Sequence, residues 1–274
     1  MRKFTLILTF LLILSHLSWG QGTAKKFNLF NPTPRNQMRD METDRPDITE
    51  SAYSVDAGHF QLETDLFKQV RNQQETGKSI QNYFNLINLK IGLTHSADFQ
   101  VVVENYVVDK FTDNLGTSTK KSGFGSVSLR FKQNLWGNDE GKTALAVMPY
   151  ITLPTGRFVE HQSIEGGIIF PFAMDLNNGW GMGAQGQFEL QKSESGYQTL
   201  WLNSITFAKD LSEKWNGFVE GYYTYLHDEK AFDAHFNGGI SYQANKDLKF
   251  DVGFNYGLTK NTDKVYFAGI SFRY

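Results

Sequence analysis

A closed transmembrane β-barrel is the fold class this sequence predicts, and three observations point to it. An export signal opens the chain. Two-residue alternation of apolar and polar side chains runs from residue 58 to the end. Beyond residue 20 no stretch approaches the 18 or so apolar residues that a membrane helix needs. An exported chain without such a helix can sit in a bilayer only as a closed barrel. Composition agrees. Aromatics make up 15% of the 274 residues, with 23 Phe and 25 Gly, yet the hydrophobic fraction is only 40%. Many aromatics with modest hydrophobicity suit a wall that is apolar outside and wet inside. The expectation is an all-β, antiparallel up-and-down barrel of about 12 strands.

The leader comes first. Met1-Arg2-Lys3 is positive, Phe4 to Ser15 is apolar, and Ser18-Trp19-Gly20 places small residues for cleavage before Gln21. The apolar run is too short to span a bilayer comfortably. Residues 1–20 are therefore expected to be a signal peptide, 21–57 a polar periplasmic segment, and 58–274 the barrel, in a bacterial outer membrane. With 27 Lys+Arg against 29 Asp+Glu, the net charge of -2 gives no basic footprint for nucleic acid. The absence of cysteine excludes disulfides, thiolate metal sites and a Cys nucleophile.

The strands follow. Phe60, Leu62, Leu66 and Val70 share one face of the first, with His59, Gln61, Glu63 and Asp65 on the other. Strong alternation recurs over residues 180–190, 232–243 and 248–258. Weaker alternation predicts strands over Tyr83–Leu93, Phe99–Val108, Phe124–Leu135, Thr143–Leu153, Ile164–Ala173, Leu200–Ala208, Gly217–Tyr225 and Val265–Tyr274. Turn-rich connections at 94–97, 175–179 and 244–247 fall after even strands and are placed in the periplasm; Asp109 to Ser122 reads as a longer external loop. Tyr106, Trp136, Trp180, Trp215 and Tyr225 are expected in the interfacial girdles. The last strand alternates to Phe272 and Tyr274, the pattern expected of a signal read by the outer-membrane assembly machinery. Outer-membrane lipid, that machinery and small solutes are the expected partners.

The inward faces collect both signs of charge: Glu63, Asp65, Lys90, Glu104, Arg130, Lys132, Glu189, Glu220, Asp233, His235, Lys249, Asp251 and Arg273. They form either a selective lumen or a network that neutralises itself, since buried charges must be paired. Before the first strand, Asp44, Arg45, Asp47 and Glu50 make a compact motif stiffened at Pro46. This motif is expected to fold into the periplasmic mouth as a plug, with Arg130, Lys132, Arg273 or Glu63 as partners; the alternative is a solvated tether.

Enzyme chemistry finds little support. His161 and Ser163 lie two apart, but share the inward parity of Glu165 and face away from lipid. No Gly-x-Ser-x-Gly or His-Glu-x-x-His occurs. Gly181 to Gly186 matches Gly-x-Gly-x-x-Gly, but inside a strand, where it reads as small barrel residues. No catalytic residue, metal or cofactor is expected. The candidate functions are a channel, a closed structural barrel and a lipid-modifying hydrolase.

Glu42 to Ser51 (ETDRPDITES) leading into Val55 to Glu63 (VDAGHFQLE), with Ala144 to Gly156 (ALAVMPYITLPTG) and Phe170 to Leu176 (FPFAMDL), resembles the meta-pathway of phenol degradation family of outer-membrane barrels. The resemblance covers most of residues 42–274 and implies transport of small molecules, including hydrophobic or aromatic ones.

Overall fold

The computed structural model describes residues 27–156, 163–193, 196–260 and 262–274. The leader therefore lies outside the described residues, as does His161. The strands are β1 (Phe60–Gln74), β2 (Gly77–Thr94), β3 (Ala97–Asp113), β4 (Ser118–Gly123), β5 (Val127–Trp136), β6 (Thr143–Leu153), β7 (Glu165–Asn177), β8 (Trp180–Ser193), β9 (Gly196–Asp210), β10 (Trp215–Leu226), β11 (Ala231–Asn245), β12 (Leu248–Gly257) and β13 (Lys264–Arg273). Apart from β4 and β5, which do not pair with each other, each strand pairs antiparallel with its chain neighbours, and β1 pairs with β13 to close the wall. Because β4 and β5 both pair with β3, they occupy one place, and the barrel is twelve-stranded.

Alternation places the side chains. On β12, Phe250, Val252 and Tyr256 are exposed on the outer wall, whereas Asp251 and Asn255 are buried inside. Trp136, Trp180 and Trp215 are exposed near the rim where the chain leaves β13. That rim carries the turns at 95–96, 178–179 and 246–247, together with both ends of the barrel. The wall is apolar outward because lipid is its solvent there, and polar inward because the lumen is filled by side chains and water.

Two expectations are corrected. Val70 does not share the outer face of Phe60, Leu62 and Leu66. The register slips between Asp65 and Phe67, so Val70 comes opposite Val265, which is buried on the inner face. A β-bulge exchanges the two faces of every residue beyond it. Beside it in β2, Asn85 sits at φ 54°, and the neighbouring Phe67 and Phe84 rings meet on the outside. Continuing across the wall, residues 124–126 interrupt β4 from β5. The second correction concerns Asp109 to Ser122. Most of it is strand: β3 runs to Asp113, β4 begins at Ser118, and only residues 114–117 turn. Ser118 to Ser122 are exposed throughout, so no alternation marks them as a strand.

Candidate functional site: a charged segment seated in the lumen

The chain reaches the barrel at the rim, where Asn28 bridges Thr94. It then climbs into the lumen through Arg39 to Arg45, bends across at 46–50, and returns to the rim at Ala57, beside Gly92. Pro46 follows a cis peptide bond.

The seat is built from charges the wall projects inward. Asp44 sits between two buried lysines: Lys132 Nζ is 2.7 Å from one carboxylate oxygen, and Lys90 pairs with the other. Lys90 also pairs with Glu63, whose carboxylate accepts the backbone amides of Asp44 and Arg45 at 3.0 and 3.1 Å. Arg45 reaches along the same side of the wall, bridging Asp65 on β1 at 2.5 Å and Asp251 on β12 at 2.6 Å. Arg130 holds Glu50 at 2.7 Å. Glu220 accepts the amides of Ile48 and Thr49 and the Thr49 hydroxyl. Gln185 accepts the Glu50 amide at 2.7 Å. Charge-assisted bonds are strong, and here they arrive from β1, β2, β5, β10 and β12, with a neutral hydrogen bond from β8.

Burial and neighbours divide the carboxyls of the segment. Burial works to raise the Asp44 carboxyl, but Lys132 and Lys90 outweigh it and hold it well below its ordinary range. Burial likewise opposes the charge of Arg45, and Asp65 with Asp251 overcome it. Glu50 goes the other way: burial and the Asp44 charge push it up to about 7, against Arg130. Burial and Glu220 raise Asp47. Two glycines make room. A Cβ on Gly269 would stand 2.1 Å from the Arg45 guanidinium, and one on Gly92 would stand 2.0 Å from the Asp56 carbonyl oxygen.

Residues 45–50 separate two spaces. Toward the rim that carries the termini lies a cavity of about 660 Å³, with Trp180, Phe218 and Lys249 in its wall. Toward the opposite end lies a chamber of about 500 Å³ lined by Glu104, Arg130, Tyr150, Glu165, Gln187 and Glu189. Arg45, Asp47 and Glu50 line both. Tyr150 donates to Glu189 at 2.6 Å, and Glu104 accepts the Ser126 amide.

The structure brings Asp44, Arg45, Asp47 and Glu50 together with Glu63, Asp65, Lys90, Arg130, Lys132, Glu220 and Asp251. Lys249 joins them through the Thr43 hydroxyl. Arg273 is not a partner of the motif; it pairs with Asp56 at 3.2 Å and Asp247 at 3.1 Å. Asp233 and His235 stand apart, His235 stacked on Tyr222 and Asp233 accepting from Thr259. Glu104 and Glu189 line the far chamber. Sequence reasoning missed Asp56 and Asp98, although both have a positional signal. Asp56 lies just before the first strand, where it holds Arg39 and Arg273; Asp98, inward by alternation on β3, accepts the Val55 amide. Phe272 is exposed on the wall and Tyr274 at the rim. Gly183, within the Gly-x-Gly-x-x-Gly stretch, faces Thr206 and Thr49 inside β8.

A closed wall, apolar outside and charged within, with a chain segment ion-paired in its lumen, has the build of the bacterial outer-membrane β-barrels. The chain belongs to the family described as "Putative MetA-pathway of phenol degradation", whose profile matches residues 43–274. It is similar in fold to the COG4313 outer membrane channel from Pseudomonas putida F1, at 10% identity and TM-score 0.64, over 85% of this chain and 100% of that one. The transport unit of the autotransporter AIDA-I from Escherichia coli (9% identity, TM-score 0.52, 85% and 92% covered) and the NanC porin (7%, 0.52, 77% and 98%) share the architecture. No curated protein matches the chain in sequence.

Proposed function

We propose that this protein is an outer-membrane channel for small solutes, held shut at rest by residues 42–56. The observation that carries the reading is the division of the lumen into spaces of about 660 and 500 Å³ by a segment ion-paired to several strands. On this reading the leader expected from the sequence delivers the chain from the periplasm, the rim with the termini stays there, and the 500 Å³ chamber faces outward. That chamber is lined mostly by carboxylates, amides, hydroxyls and Arg130. The lining suits solutes bearing hydroxyl or amino groups, hydroxylated aromatics included, better than hydrocarbons, which leave such groups unpaired. No residue of the chamber is assigned a catalytic step.

Passage requires the seat to open. Removing residues 21–50 while keeping the leader should raise single-channel conductance and solute uptake without abolishing insertion. Normal insertion with unchanged permeability makes the segment a tether. One observation favours the closed structural barrel instead. Asp44, Arg45 and Glu50 each have an ion-pair partner, and these pairs oppose opening. Impermeability of both full-length and truncated protein decides for that reading.

A further inference from the structure

Opposite the termini, the outer surface carries a row of cations that the lumen network does not use. Cross-strand register fixes the row. Lys264 on β13 stands opposite Arg71 on β1, Arg71 opposite Ile80 on β2, Ile80 opposite Lys110 on β3, and Lys110 opposite Lys120 on β4. Directly opposed residues share a face of the sheet. That face is the outer one, because Lys264 also opposes Tyr256, which is exposed on the wall, and the Arg71 guanidinium lies 5.7 Å above the ring of Tyr266. Lys78, two residues from Ile80 along β2, adds a fifth cation to the same face.

No acid answers these charges. On the outer face above the bulge, the remaining positions of β1 to β4 are Gln69, Gln73, Asn82, Val108, Thr112, Ser118 and Ser122, with tyrosines and phenylalanines below them. Among the described residues, none of the five cations has an ion-pair partner. Lys110 and Lys120 are directly opposed, an arrangement that by itself destabilises a strand pair. Lys78 and Lys110 share a pocket of about 260 Å³ with Ile80, Thr112 and Gly77. Asp113 also borders it, but one of its carboxylate oxygens accepts the Leu115 and Thr117 amides of its own turn. The opposite rim differs: its turns carry both signs, with Asp210, Glu213 and Lys214 at one and Lys246 beside Asp247 at another.

We propose that this row binds the phosphate groups of lipid A in the outer leaflet, with the pocket between Lys78 and Lys110 as its centre. A line of unanswered cations directly above an aromatic girdle lies where a bilayer presents its headgroups. Several cations on one rigid face match the two separated phosphates of lipid A, which a single lysine cannot do. The assignment rests on the outer-membrane reading, with this rim outside, and is independent of whether the lumen conducts.

The test uses the full chain, expressed with its leader, and the triple variant R71Q/K110Q/K120Q. Each protein is first shown to fractionate with the outer membrane and to keep its heat-modifiable gel shift. Failure of the wild type at this step overturns the localisation, not the lipid site alone. Detergent-solubilised protein is then titrated with lipid A, with lipid A lacking one phosphate, and with inorganic phosphate, following the midpoint of thermal unfolding. Lipid A should bind the wild type on the order of a hundredfold more tightly than the variant, since each basic group near an anionic surface contributes about 1 kcal/mol. The singly phosphorylated lipid should fall between. Equal binding of lipid A by both proteins overturns the proposal. So does an equal response of the wild type to the singly phosphorylated lipid, or to inorganic phosphate at the same concentration.

Discussion

The two halves of the lumen use the same residue types to different ends. In the half beside the termini, the charges that β1, β2, β5 and β12 project inward meet counter-charges on a single chain segment, and Lys90, Lys132 and Glu63 are almost wholly buried. In the far half, Glu104, Glu165 and Glu189 face open space and are satisfied by a tyrosine, amides and backbone groups instead. The difference teaches that inward polarity by itself does not define a pore. What an inward charge does depends on whether the chain supplies a partner for it.

The largest expected effect breaks the paired half. Asp44→Asn leaves Lys90 with one carboxylate instead of two and Lys132 with none. Removing one partner of a buried ion pair costs about 3–5 kcal/mol. The unfolding midpoint in detergent should fall and permeability should rise. Glu189→Gln, in the open half, should change stability by less than about 1 kcal/mol. Equal losses in the two variants would show that the halves do not differ.

A second pair of changes asks whether the wall separates lipid from lumen. Val252→Arg places a charge on the exposed outer face of β12 and should cost roughly 2–4 kcal/mol near the midplane. Asp233→Asn, inside the far half, should cost less than about 1 kcal/mol. Urea unfolding of protein folded into lipid vesicles measures both. Asp251 cannot serve as the neutral control, despite its inward parity, because it holds Arg45.

How much of this was legible follows from what alternation encodes. It distinguishes the two faces of a strand, so Glu63, Lys90, Lys132 and Asp251 were readable as inward from the sequence. The Asp-Arg-Pro-Asp cluster was readable as a charged motif beside the first strand. Partners were not readable, because they depend on register across strands far apart in sequence: Arg45 and Asp251 are 206 residues apart. The bulge at Leu66 escaped for another reason. Leu66 and Phe67 are both apolar and both exposed, so a slipped register leaves the outer face looking continuous. β4 escaped because neither of its faces is buried.

Two glycines sharpen the comparison at a finer scale. Gly92→Ala would drive a Cβ against the Asp56 backbone, which cannot yield without moving the start of β1. Overpacking of this kind typically costs about 1–3 kcal/mol. Gly269→Ala meets only the end of the Arg45 side chain, which can swing away. It should therefore cost less stability while loosening the pairs to Asp65 and Asp251, visible as faster protease cleavage within residues 42–56. Should Gly269→Ala prove the more destabilising, Arg45 is fixed more rigidly than its flexible side chain suggests.

The smallest expected effect is a pH dependence of the seat, and its sign follows from which carboxyls shift. Seated, Glu50 titrates at about 7, above its ordinary value of 4.5. A group raised in this way favours the seated state when protonated. That contribution is full below pH 4.5 and is lost as the pH climbs through 7. Asp47 shifts in the same direction. Asp44 is lowered instead, so its contribution is present above its ordinary 3.8 and disappears only in stronger acid. Between pH 5 and pH 8 Glu50 changes state and Asp44 does not, and acidification should tighten the segment. Protease cleavage within residues 42–56, or conductance, should therefore fall severalfold from pH 8 to pH 5. Glu50→Gln keeps the side chain permanently neutral and should flatten most of that dependence. A full pH response in Glu50→Gln would move its origin to Asp47 beside Glu220, and a response of the opposite sign would mean that the Arg130 pair outweighs burial at Glu50.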